Sequence, residues 1–185
     1  MNDKRQQLIT TALALFNQKG INSVGINEVL EVSGIAKKTL YHHFPGKNEL
    51  VLATLAYRDQ IFMSWLSSAL AQAATPNDVV QRLFHALTDW FRGEVKELSA
   101  FHGCFFINTA AEIRDPSSPI AQYCREHKQK VRRLLQQHLP TASEAFIDLL
   151  CLLKQGAIVA AFVGQDPDAA EKCIPLAEHG LTTAT

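Results

Sequence analysis

No stretch of this 185-residue chain alternates apolar and polar residues for long enough to make a convincing strand, and Val/Ile/Thr-rich runs bounded by turns are missing. Apolar residues recur instead at helical spacing. Leu8, Ile9, Ala12, Leu13, Leu15 and Phe16 make the first stripe, which Lys19 and Gly20 close with a basic last turn and a C′ glycine. Ile26, Val29 and Leu30 begin a second, short helix ending near Ser33 and Gly34, and a third runs from Ala36 until Pro45 stops it. From Lys47 a long helix carries Leu50, Val51, Leu55, Phe62, Trp65, Leu66 and Leu70. Later starts are marked by Thr75-Pro76, Ser118-Pro119 and Asp166-Pro167, each a capping side chain before a proline suited to the first helical position. Thr141 with Glu144 has the form of a capping box, and Pro175 predicts a kinked or shortened last helix. The expected fold is all-α, with about nine helices.

The pattern changes once, near Lys47. Before it lie three short helices joined by tight glycine turns; after it come longer helices rich in Leu and Ala. This predicts a three-helix domain over residues 1–46, continuous with a larger helical bundle over 47–185. With 47% hydrophobic and 19% charged residues the chain is too apolar for disorder. Its longest apolar stretch, residues 156–163, is less than half of the ~20 residues a membrane span needs, which argues against a membrane protein. Asp3, Lys4 and Arg5 stand where a secretory apolar region would begin, so a cytoplasmic location is expected. Cys104, Cys124, Cys151 and Cys173 contain no Cys-x-x-Cys pair. Cys124 with His127 supplies two ligands where a structural zinc site wants four, so neither a metal nor a cofactor is expected.

The formal charge is zero, yet residues 1–50 hold six Lys/Arg against four Asp/Glu, and residues 33–48 contain Lys37, Lys38 and Lys47 with no acid. A small basic footprint on a neutral chain suits a focused nucleic-acid contact, although a solvated helix face has the same look. Two short helices around a turn holding Gly34, with a hydrophobic helix before them, have the proportions of a helix-turn-helix. On a wheel of roughly 100° per residue, Leu40, Phe44 and Ala36 fall on the buried side of the third helix. Lys38 and His42 point the other way, flanked by Tyr41 and Thr39. Lys and Thr can address base edges in a major groove that admits one helix, whereas Tyr, His and Lys47 can hold phosphates. Lys47 also opens the next helix, where backbone N–H groups favour an anion.

The residues Gly20-Ile21 and Val29, then the run from Ser33-Gly34-Ile35-Ala36 through Lys37-Lys38-Thr39-Leu40-Tyr41-His42-His43-Phe44 to Pro45-Gly46-Lys47-Asn48-Glu49-Leu50, resemble the DNA-binding signature of the tetracycline-repressor (TetR) family. The resemblance implies that Lys37, Lys38, Thr39, Tyr41 and His42 meet bases or the groove, and that Tyr41, His43 and Lys47 hold phosphates. The chain departs from the pattern at Gly25, where the family usually has a capping Thr, and at Lys38, where it often has Gly. Farther on, His102-Gly103-Cys104-Phe105-Phe106-Ile107-Asn108 followed by Ala111-Glu112 is similar to a segment of one branch of the family. Some members of that branch sense electrophiles or oxidants through the cysteine, which makes Cys104 a candidate redox sensor. The resemblance also places a ligand pocket among the aromatic residues, with Phe62, Trp65, Phe84, Trp90, Phe105 and Phe106 as candidates, and a homodimer interface on the last two helices. There Gly156, Ala157, Ala160, Ala161 and Gly164 form a small-residue face.

The expected function is a homodimeric repressor that a small hydrophobic or electrophilic effector releases from palindromic double-stranded operator DNA. An enzyme is disfavoured, because Gly46-Lys47 lacks the rest of a phosphate-binding loop and no Gly-x-Ser-x-Gly or His-Glu-x-x-His occurs. The alternatives are a helical metal or redox sensor resting on Cys124 and His127, and a helical binding module without DNA. The second leaves Lys38, Thr39, Tyr41 and His42 idle.

Overall fold

A computed structural model describes residues 2–183. The elements are α1 (Asn2–Lys19), α2 (Ile26–Ser33), α3 (Lys37–His43), α4 (Lys47–Leu70), α5 (Pro76–Phe91), α6 (Phe105–Glu112), α7 (Pro119–His138), α8 (Glu144–Val163) and α9 (Ile174–Thr183). Short 3₁₀ turns lie at Lys96–Leu98 and Glu171–Cys173, and no strand occurs among the described residues. The chain is all-α, as its periodicity predicts.

Local chemistry accounts for most of the ends. Gly20 (φ +85°) and Gly34 (φ +66°) take the left-handed conformation that closes α1 and α2, and the Gly34 N–H bonds the carbonyl of Leu30. Thr75 caps α5 by accepting from the Asp78 N–H, and the Asp78 carboxylate accepts in return from the Thr75 N–H. The Ala74 N–H, which donates to the same carboxylate, and then the bonds from Thr75 hold the Asp78 carboxyl below its ordinary value. The Ser118 hydroxyl accepts from the Ala121 N–H ahead of α7.

Four local expectations are corrected. The α8 cap is Ser143, which accepts from the Phe146 N–H; Glu144 is already helical and pairs with Arg132, so Thr141 and Glu144 form no capping box. Asp166-Pro167 opens a turn rather than a helix, because the Asp166 carboxylate takes the Asp168 N–H and the Lys172 ammonium and folds the chain back locally. Pro175 falls in the first turn of α9, where its missing N–H costs nothing, so it bends no helix. Ala36 is exposed: it is the extended residue ahead of α3 (ψ 142°), and Ile35 is buried in its place.

By packing, the described chain forms two units whose boundaries fall inside α4 and α7. One runs to Gln60 and takes in Cys104–His127; the other comprises Ile61–Gly103 and the chain from Lys128 onward. The 46/47 boundary expected from composition lies within the first of them. That unit is built on Leu8, Phe16, Val29, Leu40, Leu50 and Leu55, all buried, with Phe105 and Phe106 of α6. The second packs α5 against α8 and α9. Its aromatic centre is Trp90, whose ring meets Phe62 edge-on at 5.5 Å and Phe101 at 5.0 Å. By length and composition α8 alone among the described helices could cross a membrane (mean hydropathy 1.9), a property shared by core helices of bundles.

Candidate nucleic-acid interface

The side chains singled out on α3 share one face because Leu40 anchors the opposite one. Leu40 is fully buried and Phe44 nearly so. Lys37, Lys38, Tyr41 and His42 are exposed, Thr39 and His43 half-buried. The Lys37 ammonium lies 6.0 Å from the Tyr41 ring centre, and the His42 and His43 rings meet edge-on at 5.2 Å. Lys38, Thr39, His42 and His43 line an open depression of about 540 Å³ together with Asp3 and Lys4 of α1. Lys4 therefore adds a cation to the face, and Asp3 a carboxylate. Neither was singled out from the sequence, since only the fold brings the start of α1 beside α3. Arg5, the next residue, lies over the Phe44 ring at 5.2 Å.

Lys47 is the first residue of α4 and is half-buried. Desolvation pushes its ammonium below the ordinary lysine value, and the Glu112 carboxylate counters that shift. Glu112 ends α6, and its two carboxylate oxygens accept from the backbone N–H groups of Ile21 (3.0 Å) and Asn22 (2.6 Å) in the turn between α1 and α2. The Asn22 side-chain amide donates to the Glu112 carbonyl at 3.3 Å. Gly20 is required here twice over, by its positive φ and because a Cβ would sit 2.9 Å from a Glu112 carboxylate oxygen. The last residue of α6 is thus tied to the turn that positions the helix-turn-helix.

Cys104 lies directly ahead of α6, as its position after Gly103 predicts, and is 5% exposed. Arg58 of α4, 4% exposed, is close enough for the two charges to interact, while burial pulls its guanidinium down to about 10. Next to Arg58, Asp59 accepts or shares a proton with His127 Nδ1 at 2.7 Å, and the Tyr123 hydroxyl donates to the same carboxylate at 3.4 Å. The His127 ring stacks flat on Phe106, 3.5 Å between centres. The sequence reading missed Arg58 and Asp59; the available signal was two adjacent charges inside the apolar stripe of α4. His127 turns to Asp59, and no group of three or more potential metal ligands occurs among the described residues.

The aromatic candidates divide between the two units. Phe62, Trp65 and Trp90 meet edge-on at 5.2 to 6.0 Å in the second, where Phe84 is also fully buried. Phe105 and Phe106 belong to the first. The small-residue face divides as well. Gly156, Ala160 and Gly164 are exposed, whereas Ala157 and Ala161 turn into the chain's own core. The exposed residues continue into Leu152 (68% exposed), Val159 (50%) and Val163 (74%), and Leu176 of α9 is also exposed.

Residues 8–54 match the family described as bacterial regulatory proteins of the tetR type. A TetR-family transcriptional regulator from Streptomyces coelicolor superposes with a TM-score of 0.86 at 27% identity, covering 100% of this chain and 97% of that one. The Bacillus subtilis regulator YxaF, an uncharacterised helix-turn-helix protein, is 31% identical over 43% of this chain and 42% of its own length. LmrA of the same organism, also a helix-turn-helix transcriptional regulator, is 25% identical over 67% of this chain and 64% of its own. The matches thus span less than two thirds of these curated relatives' lengths.

Replacing Glu112 by Gln removes the charge from two backbone hydrogen bonds and turns an amide N–H₂ toward one of the donors. The expected cost is about 1 kcal/mol for a partly exposed site. Urea denaturation measures it, and amide exchange should quicken at Ile21 and Asn22 while Val29 keeps its protection. Unchanged exchange at both amides would mean that the carboxylate does not hold the turn in solution.

Proposed function

The chain belongs to the TetR family of bacterial regulatory proteins, and on that premise we propose that it is a cytoplasmic, homodimeric repressor released from a palindromic operator by a small-molecule effector. The observation that carries this reading is the face of α3. Lys37, Lys38, Thr39, Tyr41 and His42 stand outward without an acid on their own helix, and Lys4 adds a further cation. One helix fits a major groove, where Lys and Thr reach base edges; Tyr41, His43 and Lys47 are suited to phosphates. Residues 1–46 then serve as the DNA-binding domain, and residues 47–185 bind the effector and the second subunit.

Two-fold symmetric proteins read half-sites one helical turn apart, so two copies of α3 must be held at a fixed spacing. The apolar stripe of α8, from Leu152 through Gly156, Val159 and Ala160 to Val163, together with Leu176, supports a dimer seam. Small residues let two helices approach closely while the larger ones supply buried area. Ala157 and Ala161 act behind that seam by closing the chain's own packing.

Effector release then runs through α6. The helix begins after Cys104 and ends at Glu112, eight residues or roughly 12 Å at ~1.5 Å per residue. Short helices move as rigid bodies in packed interiors, so a displacement at one end reaches the Ile21–Asn22 turn at the other. Cys104 supports covalent sensing: it precedes the positive end of the helix, and Arg58 is beside it. Phe62, Trp65, Phe84, Trp90, Phe105 and Phe106 remain the aromatic candidates for a noncovalent ligand.

The DNA contacts are separable by experiment. Lys47→Ala should weaken specific and nonspecific binding alike and lower the salt slope by ~0.9 for the phosphate lost. Lys38→Ala and Thr39→Ala should change sequence preference instead, at ~1 to 3 kcal/mol per base contact. An unaltered slope in the first and unaltered selectivity in the others would place α3 outside the groove. For assembly, Ala160→Glu puts a charge on the exposed stripe and should yield folded monomers with weak operator binding; a dimer of undiminished stability in sedimentation would move the seam elsewhere. For sensing, a quinone and hypochlorite should each release operator from the wild type but not from Cys104→Ser. Equal release from both proteins, or from neither, would transfer sensing to a noncovalent ligand.

A further inference from the structure

The first turns of α1 are pinned against the helix-turn-helix. The Gln7 side-chain amide donates to the Ser33 carbonyl at 2.9 Å, and the Arg5 guanidinium lies over the ring of the buried Phe44 at the end of α3. Asp3, one turn ahead of Gln7, is therefore held with Lys4 at a set place beside α3. Both meet the same flank of that helix. Lys38 and His42, and likewise Thr39 and His43, are pairs one turn apart, and all four line the depression that Asp3 and Lys4 close. Lys37 and Tyr41 fall on the opposite flank, with the ammonium 6.0 Å from the ring centre. Among the residues lining the depression Asp3 is the only acid. Asp3, Lys4, Lys38 and His42 are exposed, and no ion pair joins any of them to another described residue.

The effect of a carboxylate at this place depends on how DNA is held. Away from its operator a DNA-binding protein rides on the phosphates, which supply essentially all of the affinity. The cations of the depression are then turned to phosphates, and Asp3 stands among them with the wrong sign. In the sequence-specific complex α3 sits in the groove at one register, with base edges in front of Lys38, Thr39 and His42. A carboxylate only accepts hydrogen bonds, so it matches the amine of a cytosine or an adenine and opposes a phosphate. The penalty thus falls more heavily on the phosphate-bound mode. Discrimination between two partners requires only such a difference.

We propose that Asp3 is a specificity-determining residue of the DNA interface: its carboxylate, set among Lys4, Lys38 and the two histidines, weakens binding to unrelated DNA more than binding to the operator. The proposal rests on the reading that α3 enters a major groove. Lys4 acts with the opposite sign and strengthens both modes through the backbone.

The test titrates two duplexes across a range of salt: one enriched by the wild type from a random-sequence pool, and a scrambled one of the same composition. Wild type, Asp3→Asn, Asp3→Glu and Lys38→Ala are compared. Asp3→Asn should tighten the scrambled duplex about fivefold for each subunit bound at low salt, the worth of one unit charge at contact distance in water, and the enriched duplex less than about twofold. The gain should fade as salt screens it. Asp3→Glu should behave as the wild type does. Asp3 also lies in the first turn of α1, where a carboxylate favours the helix dipole. A role confined to the helix end would move thermal stability and leave the ratio of the two affinities where it was. The assignment is overturned if Asp3→Asn leaves the scrambled duplex unchanged, if it tightens both duplexes equally, or if Asp3→Glu also loses discrimination. Lys38→Ala separates this from the underlying reading. Altered sequence preference in Lys38→Ala beside an unaltered ratio in Asp3→Asn removes the role of Asp3 alone, whereas no response from either variant removes the placement of α3 with it.

Discussion

The Glu112 carboxylate is the constraint on which the first unit turns. A tight connection between two helices leaves backbone N–H groups without intrahelical partners, and these must be satisfied from outside. Here the donors of Ile21 and Asn22 are met by a side chain some ninety positions downstream, at separations of 91 and 90 residues. Gly20 makes room for it, and Lys47 contributes the nearby positive charge. The turn, the first residue of α4 and the end of α6 are therefore one electrostatic assembly. Moving α6 without disturbing α2 and α3 would require breaking charge-assisted bonds, which is why the proposed route of control passes through this residue.

Arg58, Asp59 and His127 carry the same logic into the interior. Buried ion pairs contribute little net stability, because desolvation offsets most of the attraction. What they fix is position. Asp59 on α4 meets His127 and Tyr123 on α7, while Phe106 on α6 lies flat against the imidazole. Any apolar side chain could fill the space, but only a directional pair sets the relative placement of three helices this narrowly. Thr109 on α6 is fully buried and its hydroxyl has no hydrogen-bond partner. Such a group costs free energy.

Much of this was readable from the chain, and the exceptions have physical causes. Periodicity located the helices, and the caps at Thr75 and Ser118 lie where a side-chain acceptor precedes a proline. The same signature failed at Asp166, where a lysine six residues on competes for the carboxylate and stabilises a turn. The capping box expected of Thr141 and Glu144 failed because a better-placed Ser143 lay two residues after Thr141. The outward face of α3 was readable because Leu40 and Phe44 fix its phase. The small-residue face of α8 was not, since glycine and alanine carry no information about which side is inward. Lys4 and the partners of Glu112 and Arg58 were out of reach for a different reason: tertiary contacts set them, and although the adjacent charges of Arg58 and Asp59 stand out in the stripe of α4, no local pattern says what they meet.

The composition of α8 brings the two problems together. A helix apolar around most of its circumference cannot satisfy itself against a single neighbour, because one packed face leaves the other in water. Phe146, Leu150, Ala157 and Ile158 are buried by the chain's own bundle. Leu152, Val159 and Val163 are left out, on a stripe that keeps helical spacing with Gly156 and Ala160. A lipid-facing helix would not place Asp148 and Lys154 along its length without a strong reason, since a charge at bilayer depth is expensive. On α8 the Lys154 ammonium is instead buried over an aromatic ring, and Asp148 binds Arg132. The helix is therefore divided into an inner face, a polar flank and an outer apolar face. The outer face is the one on which the proposed dimer seam rests.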